Sequence, residues 1–287
     1  MCGIIATLGK YTDEILLTGL KQLQNRGYDS AGIATIKQKT FEITKYASTN
    51  KSSGLSKLES KIYKHKNADI GIGHTRWATH GNTNDINSHP HMSFDGKFTL
   101  VHNGIIENYM EIKTNLSNKG IPFISKTDTE VIVNLLAYNY DNEKKDNNNV
   151  FEINMAIKNT VNALEGTWGL VIMCVDSPKT LFCTRNGSPI LVGHNSECAI
   201  ISSEKSGFSS LITNYLVLEN NDVCHISMYN DNINVNTEYH SYKYNQISNV
   251  KQNISPDPYL HWTIREIYEQ SDIINNTLRS RIKNDYE

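Results

Sequence analysis

The sequence lacks any apolar run long enough to cross a bilayer, and its mean hydropathy is -0.46. It also lacks an excess of one charge, because 28 Lys and Arg residues face 30 Asp and Glu residues. With 6 prolines and 17 glycines it has no collagen-like composition. At 38% hydrophobic and 20% charged residues, a disordered chain is excluded as well. The near-equal numbers of positive and negative charges argue against a nucleic-acid or membrane-surface binder. The hydrophobic content predicts a globular protein with a sizeable core.

Cysteine is sparse, and the five residues are an odd number. Cys174, Cys183, Cys198 and Cys224 lie in apolar, strand-like contexts, where free cysteine is a small buried hydrophobe. The amino-terminal residues show no basic region followed by an apolar stretch and cleavage pattern, which argues against a signal peptide. We therefore expect a reducing, cytoplasmic compartment.

The chain alternates strand-like and helix-like segments. Apolar runs predict strands, whereas apolar residues at helical spacing predict helices. The predicted strands are 2–8, 31–36, 40–46, 70–75, 98–102, 167–176, 180–185, 190–192, 198–202 and 223–226, and the predicted helices are 13–24, 107–118, 128–138, 151–164 and 261–283. The polar stretch 141–149 is expected to be a surface loop, and the Asn-rich stretch 230–253 a linker.

Several familiar motifs are absent. Gly3 does not open a dinucleotide fingerprint, and the sequence has no Walker-type phosphate loop. The five histidines between residues 74 and 102 match no zinc-finger spacing and no H-E-x-x-H helix. We therefore expect neither a metal nor a cofactor, and we expect these histidines to face solvent or to be hydrogen-bonded.

Cys2 has a distinctive position next to Met1. Removal of Met1 would place an α-amine and a thiol on one residue. Their ordinary pKa values, ~7.7–8.0 and ~8.5, let the amine accept the thiol proton near neutral pH. Its position alone favours a structural interpretation, in which Cys2 is a small residue at the start of a strand, over a catalytic one.

Four further segments change that balance, because each places polar groups or glycine at the end of a strand or helix, where sites are commonly built. They are NRGYDSAG at 25–32, GHTRWATHG at 73–81, VHNGIIEN at 101–108 and TDTE at 127–130. Together with Cys2, these segments resemble the class II glutamine amidotransferases. Within that family they are most similar to the glutaminase halves of the isomerising glutamine–fructose-6-phosphate aminotransferases, the glucosamine-6-phosphate synthases. HPH at 89–91, TRNGSP at 184–189 and REIYEQ at 265–270 extend the resemblance over nearly the whole chain.

The resemblance implies a role for each motif residue. It implies Cys2 as the nucleophile, with Asn103 and Gly104 forming the oxyanion hole. It implies that Arg76 binds the α-carboxylate of L-glutamine and that Asp128 binds its α-ammonium. The remaining residues implied to line the substrate site are Trp77, Thr79, His80, Arg26 and Gly27. Trp77 is also implied to gate an ammonia passage.

The resemblance also implies an α+β fold of the N-terminal nucleophile hydrolase type, with two antiparallel sheets between helical layers. The expected organisation is a glutaminase domain at 2–240, a linker at 241–258 and the truncated start of a sugar-isomerase domain at 259–287. Such a chain would release ammonia and glutamate through a thioester on Cys2. Fructose 6-phosphate would be used only by the isomerase half, and the helix at 261–283 could pair with a second copy or an isomerase-bearing partner.

Other interpretations stay open at this point. Singly, Arg76 and Asp128 could form a structural ion pair, Trp77 could be core, and Asn103-Gly104 could be an ordinary turn. The chain could be the glutaminase domain of another class II amidotransferase. It could also be a non-catalytic subunit that keeps the fold.

Overall fold

A computed structural model describes residues 2–77, 82–143, 149–230, 232–238, 241–247, 257–260 and 262–279. The chain divides into two units, Met1–Asn249 and Val250–Glu287. The strands, numbered along the chain, are Gly3–Gly9 (β1), Ser30–Lys37 (β2), Thr40–Ala47 (β3), Ile70–Arg76 (β4), His91–Met92 (β5), Phe98–Ile106 (β6), Gly166–Cys174 (β7), Thr180–Asn186 (β8), Leu191–His194 (β9), Cys198–Ser202 (β10), Asn214–Val217 (β11), Val223–Tyr229 (β12), Asn232–Asn236 (β13) and Asn245–Gln246 (β14). The α-helices are Thr12–Gln22 (α1), Gly54–Glu59 (α2), Tyr109–Asn118 (α3), Asp128–Glu143 (α4), Asn149–Asn162 (α5) and Trp262–Arg279 (α6).

Eight strands form the first sheet, in the order β14-β11-β9-β10-β1-β4-β2-β3. Its described strand pairs are antiparallel. β1 lies near the middle, between β10 and β4, and Gly3 is opposite Thr75. Cys2 therefore stands at the end of a central strand, beside the point where β4 leaves the sheet.

Six strands form the second sheet, in the order β13-β12-β8-β7-β6-β5, again with antiparallel pairing. β6 and β7 pair along their full length, with Asn103 opposite Gly169 and Gly104 opposite Trp168. The predicted strand 98–102 thus continues to Ile106, and the following helix begins at Tyr109 rather than at residue 107. Asn103 and Gly104 consequently lie inside a strand and not in a turn.

Both sheets are buried on both faces, and side chains alternate between layers as strand geometry requires. Between the sheets lie Ile4 and Val101, whereas Ile5 faces the α1 side and Leu100 the α4 side. Three hydrophobic clusters therefore separate four layers: helices α1 and α2, the first sheet, the second sheet, and helices α3 to α5. The α+β sandwich predicted from the resemblance is confirmed.

Two polar stretches differ from their sequence-based interpretation. In the stretch 141–149, expected to be a loop, α4 continues to residue 143 and α5 begins at residue 149. Residues 144–148 lie outside the described residues. The stretch 230–253, expected to be a linker, contains β13 and β14, which pair with β12 and β11. The first unit runs to Asn249, beyond the expected domain end at residue 240.

The second unit contains α6, where the periodicity predicts a helix at 261–283. Arg265 and Glu269 pair across one helical turn at 2.7 Å, and the rings of Tyr259 and Tyr268 stack at 5.2 Å. Within the described ranges, no helix combines the length and the hydropathy needed to cross a membrane.

Candidate active site

Cys2 is held by the backbone that follows β4. The Trp77 N–H donates to the Cys2 Sγ at 3.2 Å, and the same sulfur lies 3.5 Å from the Trp77 carbonyl oxygen. Burial raises the pKa of the Cys2 thiol, although the Trp77 N–H and the positive charge of Arg76 act in the opposite direction. The thiol therefore needs a base to become a nucleophile at neutral pH.

Asn103 joins the two sheets at this point. Its Nδ2 donates to the backbone carbonyl of Cys2 at 2.9 Å, and its Oδ1 lies 3.0 Å from His74 Nε2. An amide nitrogen carries two N–H groups, and the Cys2 carbonyl engages one of them. A polar amide is thereby fixed against the backbone of Cys2.

Gly104 follows in a backbone conformation that only glycine adopts easily. Its φ is 138°, and a Cβ there would lie 2.1 Å from the Thr167 carbonyl oxygen. The residue is partly buried and lines both cavities beside Cys2. Glycine is required here for conformation and for close approach.

Gly27 and Gly3 also permit close packing against their neighbours. A Cβ at Gly27 would lie 2.6 Å from the carbonyl carbon of Arg76, and a Cβ at Gly3 would lie 2.7 Å from Thr75 Oγ1. The predicted substrate residue Gly27 thus packs closely against the Arg76-Trp77 peptide.

A small pocket of about 20 Å³ opens on one side of Cys2. Arg76 and Asp128 both line it, and both are buried. Asp128 Oδ2 accepts the Ile106 N–H at 3.1 Å. Burial lowers the pKa of Arg76, while the carboxylates of Asp29 and Asp128 counteract this. The pocket offers a cation and an anion within reach of one thiol, but this volume holds about one water molecule, so an amino acid must widen it to enter.

A larger cleft of about 600 Å³ also borders Cys2. Arg26 and Glu204 line this cleft, with Arg26 Nη2 2.6 Å from Glu204 Oε2. Asn103 faces this cleft as well. Arg26 therefore lies on the cleft side and does not line the small pocket.

Trp77 lines both cavities. Its side chain is 46% exposed and meets the Tyr28 ring edge-on, with centroids 5.4 Å apart. The alternative that Trp77 is a core residue is therefore wrong. Thr79 and His80, also predicted to line the pocket, lie outside the described residues.

Four of the histidines that the sequence singles out form a buried group between β4, β5, β6 and α4. They are His74, His89, His91 and His102. Burial lowers the pKa of His74 to about 3, and it lowers the pKa values of His89 and His91 well below the ordinary range. These side chains are hydrogen-bonded, as one of the two sequence-based alternatives expected, and the solvent-facing alternative is wrong for them. Across the described ranges, no three or more His, Cys, Asp or Glu side chains are grouped so that they could bind a metal ion.

The sequence analysis assigned no site role to several lining residues. Thr127 and Thr129 line the small pocket beside Asp128, and Ser203 and Glu204 line the cleft just after β10. Ser203 Oγ accepts the Ile4 N–H at 3.0 Å and so ties β10 to the strand that carries Cys2. A polar Ser-Ser-Glu run at the end of an apolar strand is the signal that could have identified this edge.

Several known proteins are similar in sequence to this chain. A family model described as a glutamine amidotransferase domain matches residues 58–249. A probable glutamine–fructose-6-phosphate aminotransferase (isomerizing) of Acanthamoeba polyphaga mimivirus is 37% identical over 98% of this chain and 46% of its own length. The enzyme of the same name from Caldanaerobacter subterraneus is 37% identical over 99% of this chain and 45% of its own length. The chain thus spans about half the length of these curated relatives.

Two solved structures share the architecture. One is the glutamine phosphoribosylpyrophosphate amidotransferase from B. subtilis, with a TM-score of 0.65 and 23% identity over 84% of this chain and 50% of its own. The other is described as the allosteric regulatory enzyme of purine biosynthesis, with a TM-score of 0.67 and 24% identity over the same shares. The fold is that of the N-terminal nucleophile hydrolase amidotransferases. By the match of its sequence, the chain belongs to the glutamine amidotransferase domain family, as the resemblance predicts.

Proposed function

We propose that this chain hydrolyses L-glutamine at Cys2 and supplies the ammonia for glucosamine 6-phosphate synthesis. One observation carries the proposal: Cys2 lies where a pocket with a buried Arg76 and Asp128 meets a cleft lined by Asn103 and Gly104. A pocket with one cation and one anion suits an α-amino acid, and the cleft suits the amide and the leaving ammonia.

Binding is assigned to the two buried charges. The α-carboxylate of glutamine pairs with the Arg76 guanidinium, whose planar donors favour bidentate contacts. The α-ammonium pairs with Asp128. The side-chain amide of the substrate then extends toward Cys2 Sγ, and Trp77 lines both the pocket and the cleft.

The chemistry uses the amine that removal of Met1 would expose on Cys2. This amine takes the thiol proton, and the thiolate attacks the amide carbon of glutamine. The resulting oxyanion accepts hydrogen bonds from Asn103 Nδ2 and the Gly104 N–H, each worth roughly 3–4 kcal/mol. The tetrahedral species collapses to a thioester, and the departing ammonia carries away the proton held by the amine. Water then hydrolyses the thioester, which releases glutamate and restores the thiol.

The hexosamine assignment is supported by similarity along nearly the whole chain to curated glutamine–fructose-6-phosphate aminotransferases. Identity to the phosphoribosylpyrophosphate amidotransferase is lower, at 23%. On this proposal the first unit, which runs to Asn249, is the glutaminase domain, and residues 259–287 are the start of a sugar-isomerase domain. Fructose 6-phosphate would bind only that isomerase half, and the location of the protein would be cytoplasmic.

The test is a glutaminase assay on chain whose intact mass shows whether Met1 is removed. We expect glutamate release by the processed chain and a loss of more than about a thousandfold in Cys2→Ala. Cys198→Ala is the matched control, since it removes a buried thiol from β10. Equal rates in Cys2→Ala and the wild type would refute the assignment. Fructose 6-phosphate added together with an isomerase-bearing half should yield an amino sugar, which tests the hexosamine assignment.

A further inference from the structure

We propose that His74 is a positioning residue, which fixes the side-chain amide of Asn103 so that its N–H groups face Cys2 and the cleft. The inference rests on the proposed function, because it assigns a support to the proposed oxyanion donor. His74 belongs to β4 in the eight-stranded sheet, and Asn103 belongs to β6 in the six-stranded sheet. The contact therefore crosses the interior of the sandwich.

The orientation of the amide follows from the atoms around His74 Nε2. This nitrogen lies 3.0 Å from the His102 carbonyl oxygen and 3.0 Å from Asn103 Oδ1. The carbonyl can only accept, so Nε2 must carry the proton and donate to both oxygens. With the amide reversed, an N–H of Asn103 would face the N–H of His74. His74 thus selects the orientation in which Asn103 Nδ2 reaches the Cys2 carbonyl at 2.9 Å.

The ring of His74 is itself held in place. It stacks on the His89 ring with centroids 4.2 Å apart and planes inclined by 25°. His89 Nδ1 accepts the backbone N–H of His102 at 3.4 Å, so its Nε2 donates to Thr129 Oγ1 at 3.2 Å. The chain of contacts therefore runs from α4 through His89 to the ring that orients Asn103.

His74 is a neutral donor and not an acid or base. Burial lowers its pKa to about 3, although its hydrogen bonds to Asn103 and His102 favour the charged form. The other ionisable groups around the ring are His89, His102 and Arg76. Among the described residues, His74 Nδ1 has no hydrogen-bond partner, so a second proton would find no acceptor there. His74 should therefore contribute no ionisation to the activity profile between pH 5 and pH 9.

The experiment compares His74→Leu with His74→Gln. Leucine fills the space without a donor, whereas the glutamine amide can place an N–H near the position of Nε2. We expect His74→Leu to lower kcat about 10- to 100-fold with KM for glutamine and the rate of Cys2 alkylation by iodoacetamide unchanged. His74→Gln should recover kcat to within about threefold of the wild type. The acid limb of the pH–rate profile should keep its midpoint in both variants.

His65→Leu is the control, because it removes a fully buried histidine that contacts Thr35 outside the site. A kcat in His74→Leu equal to that of the wild type would overturn the inference, and so would equal losses in folded His74→Leu and His74→Gln. If the wild type releases no glutamate, the proposed function is wrong, but the orientation of Asn103 by His74 can still be tested. The side-chain amide NMR signal of Asn103, assigned by its loss in Asn103→Ala, then gives the answer: it should shift in His74→Leu and return in His74→Gln.

Discussion

The side-chain amide of Asn103 donates to the backbone carbonyl of Cys2 across 2.9 Å, although 101 positions separate the two residues. Each residue lies on or beside a different sheet, so the contact depends on how the two sheets pack. The proposed nucleophile and the proposed oxyanion donor are therefore placed by the core of the domain and not by a flexible loop. Such preorganisation is what stabilisation of a developing charge requires.

Asp128→Asn should raise the KM for glutamine about 10- to 100-fold with a smaller effect on kcat. The substitution removes the negative partner of the α-ammonium but keeps an oxygen that can accept the Ile106 N–H, now at 3.1 Å. Steady-state kinetics over a wide range of glutamine concentrations measure the change. Asp95→Asn is the control, because Asp95 also accepts a backbone N–H, from Lys97 at 3.1 Å. An unchanged KM in Asp128→Asn would remove Asp128 from the proposed clamp.

Gly104→Ala should abolish glutaminase activity and cost about 3 kcal/mol of unfolding free energy or more. Its φ of 138° strains any side chain, and the new Cβ would meet the Thr167 carbonyl oxygen at 2.1 Å. Gly96→Ala provides the comparison, since Gly96 also has a positive φ, of 74°, but nothing lies within 4 Å of its Cβ position. Urea unfolding of both variants separates strain from collision. Equal losses of stability would mean that the collision at residue 104 is relieved.

Lys45→Met should destabilise the fold by about 2–3 kcal/mol. Lys45 Nζ donates to the carbonyl oxygens of Ser88, Pro90 and Ile86 at 2.7, 3.0 and 3.3 Å, and so fixes the segment that carries His89. The control is Lys21→Met, which removes an exposed ion pair with Glu59 and should cost less than about 1 kcal/mol. Thermal and urea unfolding measure both. A Lys45→Met variant as stable as Lys21→Met would show that these carbonyl groups find other partners.

The protein should lose stability as the pH falls below about 6.5. Burial lowers the pKa of His65 to about 4, whereas a histidine in the unfolded chain titrates near its ordinary 6.5. Between these values the unfolded chain binds the proton and the folded protein does not, so the free energy of unfolding falls with decreasing pH. The expected slope is at most about 1.4 kcal/mol per pH unit for each such histidine.

His65→Gln tests this linkage, because it removes the titrating group and can keep a contact with Thr35, whose Oγ1 lies 2.8 Å from His65 Nδ1. Urea unfolding at pH 7, 6 and 5 should give a shallower pH dependence than the wild type. Parallel curves for the two proteins would show that His65 takes no part in the acid lability.

Periodicity in the sequence predicts the central elements well. The strand ending near Thr75 and the helix beginning at Asp128 carry strong local patterns, and both occur in the structure. Short edge strands such as Asn232–Asn236 were missed, because their polar residues gain strand structure only from pairing with Val223–Tyr229. The pairing partner, and not the local sequence, determines that element.

Most of the motif residues predicted for the site line the two cavities beside Cys2, whereas the contacts that hold them were not predictable. Asn103 was identified from its motif, and the structure places it beside Cys2. The part played by His74 was not identified, because the sequence pattern of a buried histidine is the same whether the ring fills space or orients a neighbour. That distinction depends on which oxygens face its Nε2, and those come from a different sheet.

The surroundings of Cys2 also constrain how such a site can vary. Near the thiol, Gly3, Gly27 and Gly104 bring main chain against main chain or a short side chain, with no room for an added Cβ. The larger cleft, by contrast, is lined by side chains that include Ile105 and Ser188. Natural drift or directed evolution can thus remodel the cleft one side chain at a time, whereas a substitution at the glycines around the thiol requires the backbone to move.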